Sequence, residues 1–163
     1  MYFIIDTNVP LTANNASSAG PECVRAAIAR ILQLQSAEIL VLDDNFLILR
    51  EYQNKLNTSG QPGLGDAFLL WALRNHTNSA HCSLVHLLVS IDGNFTDFPS
   101  DPRLISFDPS DRKFVAAARA HHANPPIVNA TDSDWYHDRV ALTENGVQLE
   151  FICPQEMTLA RRT

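Results

Sequence analysis

Four acidic residues, Asp6, Glu51, Asp111 and Asp132, fall where the hydrophobic patterning of the chain ends or turns, and carboxylates gathered from distant segments are the donor set of hard divalent cations. Crowded carboxylates repel one another unless a cation neutralises them. Oxygen donors suit Mg2+ or Mn2+, which orient a water, lower its pKa and stabilise the charge that builds on a phosphodiester during in-line displacement. No Ser, Cys or His nucleophile is needed for that chemistry. Whether the four can meet depends on the elements that carry them.

Tyr2, Phe3, Ile4 and Ile5 form a short apolar run without helical period, the pattern of a strand buried on both faces, and Asp6 is its carboxyl end. Residues 12–20 are small and polar and read as a loop, after which Pro21 and Glu22 open a helix over 21–36. A strand at 39–42 follows, with Asp43 and Asp44 as cap candidates for a helix through residue 55 that carries Glu51 on the flank of its apolar stripe. Residues 58–65 read as a loop, Asp66 as the cap of a helix to residue 75, and 84–91 as a strand or a short helix. A strand at 104–107 precedes a helix capped by Asp108 or Ser110, with Asp111 in its first turn. Next come a strand at 127–130, Asp132, a helix over 133–145 closed by Gly146, and a strand over 147–153.

Alternating strands and helices predict an α/β fold of the three-layer α/β/α kind with a mainly parallel central sheet, in one domain over residues 1–163. Ligands of such sheets bind beyond the carboxyl ends of the strands, where strand order reverses. Asp6 and Asp132 sit at such ends, Asp111 at a helix N-terminus on the same edge, and Glu51 within reach of the crevice.

A hydrophobic fraction of 45% suffices for a continuous core, and every apolar run is cut by polar residues well before the roughly 18 positions a membrane span requires. The first residues lack the basic region and cleavage site of a signal peptide, so a cytoplasmic protein without a membrane partner is expected. A net charge of -6 is unlike that of proteins that bind nucleic acid through a broad basic face and counts against a nuclease, although a carboxylate site accounts for part of that charge and changes its local sign once cations bind. The acidic balance also motivates an alternative, a module that binds RNA or protein without turnover. Cys23, Cys82 and Cys153 are odd in number and widely spaced, and read as buried small hydrophobes. The histidines show no metal spacing, and His121 and His122 at a helix end suit its last carbonyls.

The segment Ile4-Ile5-Asp6-Thr7-Asn8-Val9 resembles the opening of PIN-domain nucleases, in which the Asp ends the first strand and the Thr and Asn shape the metal site. Leu49-Arg50-Glu51-Tyr52 is similar to the helix bearing that family's Glu. The stretch from Asp108 through Asp111-Arg112-Lys113 to Ala118 is similar to its third acidic segment, and Ile127-Val128-Asn129-Ala130-Thr131-Asp132-Ser133-Asp134-Trp135 to its fourth. Together the motifs span most of the chain in family order. The resemblance implies a PIN-like fold and Mg2+- or Mn2+-dependent endonucleolytic cleavage of RNA. Asp6, Glu51, Asp111 and Asp132 are then catalytic metal ligands, with Asp134 as a further ligand or helper. Thr7, Asn8, Arg112 and Lys113 are placed toward substrate, a homodimer is the implied assembly, and an inhibitor or antitoxin protein an implied partner. Residues 60–101 are longer than in compact toxin-type members, which sets this chain apart from the small toxins. A phosphatase of small esters is disfavoured by the lack of a D-x-D-x-T/V signature after the first strand.

Overall fold

The structure, a computed structural model, describes residues 1–160. Five strands, β1 (Tyr2–Ile5), β2 (Ile39–Asp43), β3 (Cys82–Val85), β4 (Ile127–Asn129) and β5 (Leu149–Phe151), form one sheet in the order β3-β2-β1-β4-β5. All four pairings are parallel. The chain runs outward from β1 through β2 to β3 and then crosses back to β4 and β5, so strand order reverses between β1 and β4.

The helices are α1 (Asn8–Ala13), α2 (Pro21–Ala37), α3 (Leu47–Lys55), α4 (Leu64–Asn75), α5 (Arg112–Ala120), α6 (Ser133–His137), α7 (Arg139–Glu144) and α8 (Pro154–Ala160). Helices cover both faces of the sheet. This is the three-layer α/β/α arrangement expected from the sequence. Ile4, Ile5, Leu40, Val41, Ile127 and Val128 are fully buried at its centre, each burial worth about 1.5–3 kcal/mol.

Local chemistry explains the elements that frame the sheet. α2 starts at Pro21 with Glu22 in its first turn, and Cys23, Ala27, Ile31 and Leu34 form its buried stripe. Asp43, buried at the end of β2, accepts hydrogen bonds from the Leu47 and Ile48 amides, both at 2.9 Å, and so caps α3 from four residues upstream. Asp44 takes no part in that cap and faces His86 instead. The start of α4 is capped from afar, since Asn14 Oδ1 accepts from the amides of Gly65 (2.7 Å) and Asp66 (3.1 Å). Asp66, expected as the cap, lies inside the first turn and accepts from the Gly63 amide at 3.0 Å.

Several expectations need correcting. Residues 104–107 are not a strand: a 3-10 turn, Pro102–Leu104, runs into a bend in which Leu104 and Phe107 are buried while Ile105 and Ser106 are exposed. That spacing of three is helical, and a four-residue window hides it. Asp111 therefore follows no strand and instead ends a second 3-10 turn, Pro109–Asp111, leading into α5. Helix α1 occupies the start of the expected 12–20 loop. The expected helix over 133–145 divides into α6 and α7 at Asp138. Only the beginning of the 84–91 segment is strand, as the end of β3. His121 directs its ring to Ser83 and the Ala123 amide, not to helix carbonyls.

The cysteines are not all free: Cys23 in the first turn of α2 and Cys153 before α8 form a disulfide, and Cys82 is free and buried. Spacing alone gives no sign of a pair 130 residues apart. Such a bond weighs against the cytoplasmic expectation, because reducing compartments keep thiols unpaired. No helix among the described residues is long and apolar enough to cross a membrane.

Candidate active site

At the β1/β4 reversal, a cavity of about 210 Å³ is lined by Asp6, Thr7, Asn8, Leu11, Glu51, Lys55, Asp108, Ser110, Asp111 and Asp132. The four acids expected to meet do share one cavity, each delivered by a different element. Asp6 leaves the end of β1 with its amide bonded to the Val128 carbonyl of β4 at 3.0 Å. Asp132 stands three residues beyond β4 and caps α6 by accepting from the Asp134 amide at 3.0 Å. Asp111 enters at the start of α5, and Glu51 from the second turn of α3. The neighbouring Tyr52 fixes α3 against β1, its buried hydroxyl donating to the Ile5 carbonyl.

Asn8 ties the two central loops together. Its side-chain amide donates to Asp6 Oδ2, while its Oδ1 accepts from the amides of Ala130 (2.7 Å) and Thr131 (3.2 Å). The residue expected to shape the site or meet substrate thus holds Asp6 in register with the loop that carries Asp132. The Thr7 hydroxyl donates to Glu51 Oε2, and the Lys113 ammonium pairs with Glu51 Oε1 at 2.8 Å. Arg112 is directed elsewhere: its guanidinium donates to the carbonyls of Ile105 and Phe107 and lies over the Phe98 ring. Asp134 is exposed and absent from the cavity lining, and acts on the site through its amide and its charge beside Asp132.

Burial and mutual repulsion dominate the electrostatics. Desolvation pushes the Asp6 carboxyl well above the usual range, and Asp111, Asp132 and Glu51 push it further against the lowering effect of the Asn8 amide. Asp111 is raised to about 7, first by burial and then by Asp132, Asp108 and Glu51, with Lys113 opposing. Asp132 is raised mainly by burial. Among the described residues nothing donates a hydrogen bond to the Asp111 side chain, which is 8% exposed and faces the cavity.

Among the described residues no three His, Cys, Asp or Glu side chains are drawn together into a group that holds an ion as it stands. The carboxylates share a cavity without closing into a ligand shell. The donor set nevertheless fits a hard divalent ion: it consists of oxygens, and an unpartnered, buried carboxylate faces the cavity.

Sequence reasoning did not single out Lys55, Asp108 and Ser110 as cavity residues. Lys55 carries a signal in retrospect, since it lies one turn after Glu51 on α3. Asp108, expected as a candidate cap of the helix that follows, caps the 3-10 turn before it through the Ser110 amide and also stands at the cavity.

One other cluster has the outline of a catalytic pair. Ser83 Oγ lies 3.0 Å from His121 Nε2. The Ala123 amide donates to His121 Nδ1 at 3.1 Å, which leaves the ring proton on Nε2, pointing at Ser83. Burial and the neighbouring His122 lower the ring's pKa, so the neutral ring is a donor to the serine and not its base. The acidic cavity is the site with chemistry to offer, and comparison with family models, curated proteins and solved structures finds no match for the chain.

Proposed function

We propose that this chain is a PIN-like, metal-dependent endoribonuclease whose active site is the acidic cavity at the β1/β4 reversal. The observation that carries the reading is the convergence of Asp6, Glu51, Asp111 and Asp132, from four separated motifs, on one cavity. Their burial and repulsion make the ionised site costly by itself and receptive to cations. Bound Mg2+ or Mn2+ would supply Lewis-acid stabilisation of phosphodiester charge and a water poised for attack. Asp6, Asp111 and Asp132 would hold the ion, Asn8 and Thr7 orient the carboxylates, and Lys55 offers a cation at the rim for substrate phosphate. RNA is the substrate class in this reading, with a homodimer and an inhibitory protein partner as its further implications.

The experiment is RNA incubated with purified protein, with and without Mn2+, alongside Asp6→Asn and Asp111→Asn. Cleavage that requires Mn2+ and disappears in both variants supports the reading, and unchanged cleavage in the variants refutes it. A module of the same fold that binds RNA or protein without turnover is favoured by one observation, the lack of a closed ligand group among the described residues. Calorimetric titration separates the two, since the absence of Mn2+ binding at millimolar concentration selects the non-catalytic reading.

A further inference from the structure

Lys113 is less exposed than Lys55, the lysine of the cavity lining, and reaches the acidic site through its pair with Glu51. Its side chain is 12% exposed and that of its partner Glu51 18%, so the pair is screened by solvent far less than a surface ion pair. The ammonium contacts Glu51 Oε1 at 2.8 Å and also donates to the Ser110 carbonyl, which anchors it from the turn that ends in Asp111. The other Glu51 oxygen accepts from the Thr7 hydroxyl, so each oxygen of Glu51 already has a donor.

The other three acids differ. The Asp6 bonds from Asn8 fall on Oδ2, the Asp132 bond from Asp134 falls on Oδ1, and Asp111 has no donor among the described residues. Oxygens on three carboxylates therefore remain open toward the cavity, while those of Glu51 are engaged.

Resting on the metal-dependent reading above, we propose that Lys113 is a cation built into the site: it holds Glu51 and stands where a second metal ion would otherwise be bound. The site then takes one divalent ion, held by Asp6, Asp111 and Asp132, and Glu51 serves as the partner of Lys113. A second divalent ion would have to draw Glu51 away from both Lys113 and Thr7 while standing beside an ammonium of like sign. Lys113 is thus a positioning residue that sets metal stoichiometry and the location of positive charge next to the phosphodiester.

The test is calorimetric titration of chelator-stripped protein with Mn2+, comparing native, K113M, K113R and E51Q. The expected result is one ion per chain for native and K113R, and for K113M either a second ion or a first bound about tenfold more tightly. E51Q should keep one ion with affinity within about threefold of native. Two ions in the native protein, a K113M titration identical to the native one, or no ion in any variant would overturn the proposal. Should K113M not fold, E51Q decides alone, because a loss of about tenfold or more in affinity makes Glu51 a ligand and refutes its assignment to Lys113. Failure of the ribonuclease reading is seen separately, as RNA left intact by protein that still binds one Mn2+.

Discussion

Replacing Asp111 with Asn should make the metal-free protein more stable, in the opposite direction to most substitutions of a buried polar residue. Asp111 is raised from 3.8 to about 7, by burial first and then by Asp132, Asp108 and Glu51. A carboxyl whose folded pKa lies above its unfolded value contributes stability fully present below about pH 4 and lost as pH rises through about 7. At pH 8 the folded protein carries the ionised group at a cost that the unfolded chain escapes. About three pKa units at 1.36 kcal/mol each set an upper bound near 4 kcal/mol, and sharing the repulsion with Asp6 and Asp132 brings the expectation to about 2 kcal/mol. Asn removes the charge and forfeits no hydrogen bond, since the Asp111 side chain accepts none from the described residues; the Lys113 attraction it gives up is the smallest of the influences on the group. In EDTA at pH 8, D111N should therefore unfold about 4–8 °C higher than native, the gap closing toward pH 4. Saturating Mn2+ should stabilise native and not D111N, erasing or reversing the difference. Differential scanning calorimetry across that pH range is the assay. A D111N protein no more stable than native at pH 8 in EDTA would refute the claim that the fold holds this carboxylate against its electrostatic preference.

Other perturbations probe the framework around the cavity. Asn8→Ala strips a hydrogen bond from Asp6 and leaves the Ala130 and Thr131 amides without their acceptor; a loss of about 1–3 kcal/mol in urea denaturation is expected, with Mn2+ affinity falling as well. Gly65→Ala would place a Cβ 1.9 Å from the Pro10 carbonyl oxygen where α1 and α4 meet, and should cost about 1–3 kcal/mol or more by the same measurement. Reduction of Cys23–Cys153 should lower stability by about 2–4 kcal/mol, seen as an earlier denaturation midpoint in dithiothreitol, with a smaller effect of the reductant on C23S/C153S.

The parts of this architecture legible in the sequence are those in which one local pattern decides the outcome. β1 and β2 are short apolar runs ended by aspartate, and α2 has Pro21 and Glu22 at its start and one apolar stripe. Gly146 takes the positive φ of +83° that closing α7 requires. The misread parts are those in which distant residues decide. Residues 104–107 carry enough apolar character for a strand, but the segment takes no place in the sheet and packs Leu104 and Phe107 into the core through a 3-10 turn. The cap of α4 comes from Asn14, some fifty residues away, and no window of sequence around Asp66 contains it.

The site divides along the same line. Its four acids were legible because parallel topology sends strand ends and following helix starts to one edge, so the placement of Asp6 and Asp132 follows once the order of elements is read. The occupation of Glu51 was not, because the pairing of Lys113 depends on the angle at which α5 meets α3, and the sequence shows Lys113 only as a basic residue beside Asp111. Local consistency fails here in a particular way: buried like charges oppose the fold that gathers them, and an ammonium from a neighbouring helix offsets part of the cost. A fold selected for stability alone would have replaced Asp6 and Asp111 with neutral side chains. Both stand at the reversal point, one braced by Asn8 and the other without a donor among the described residues, and the cation proposed above would offset the cost of holding them there.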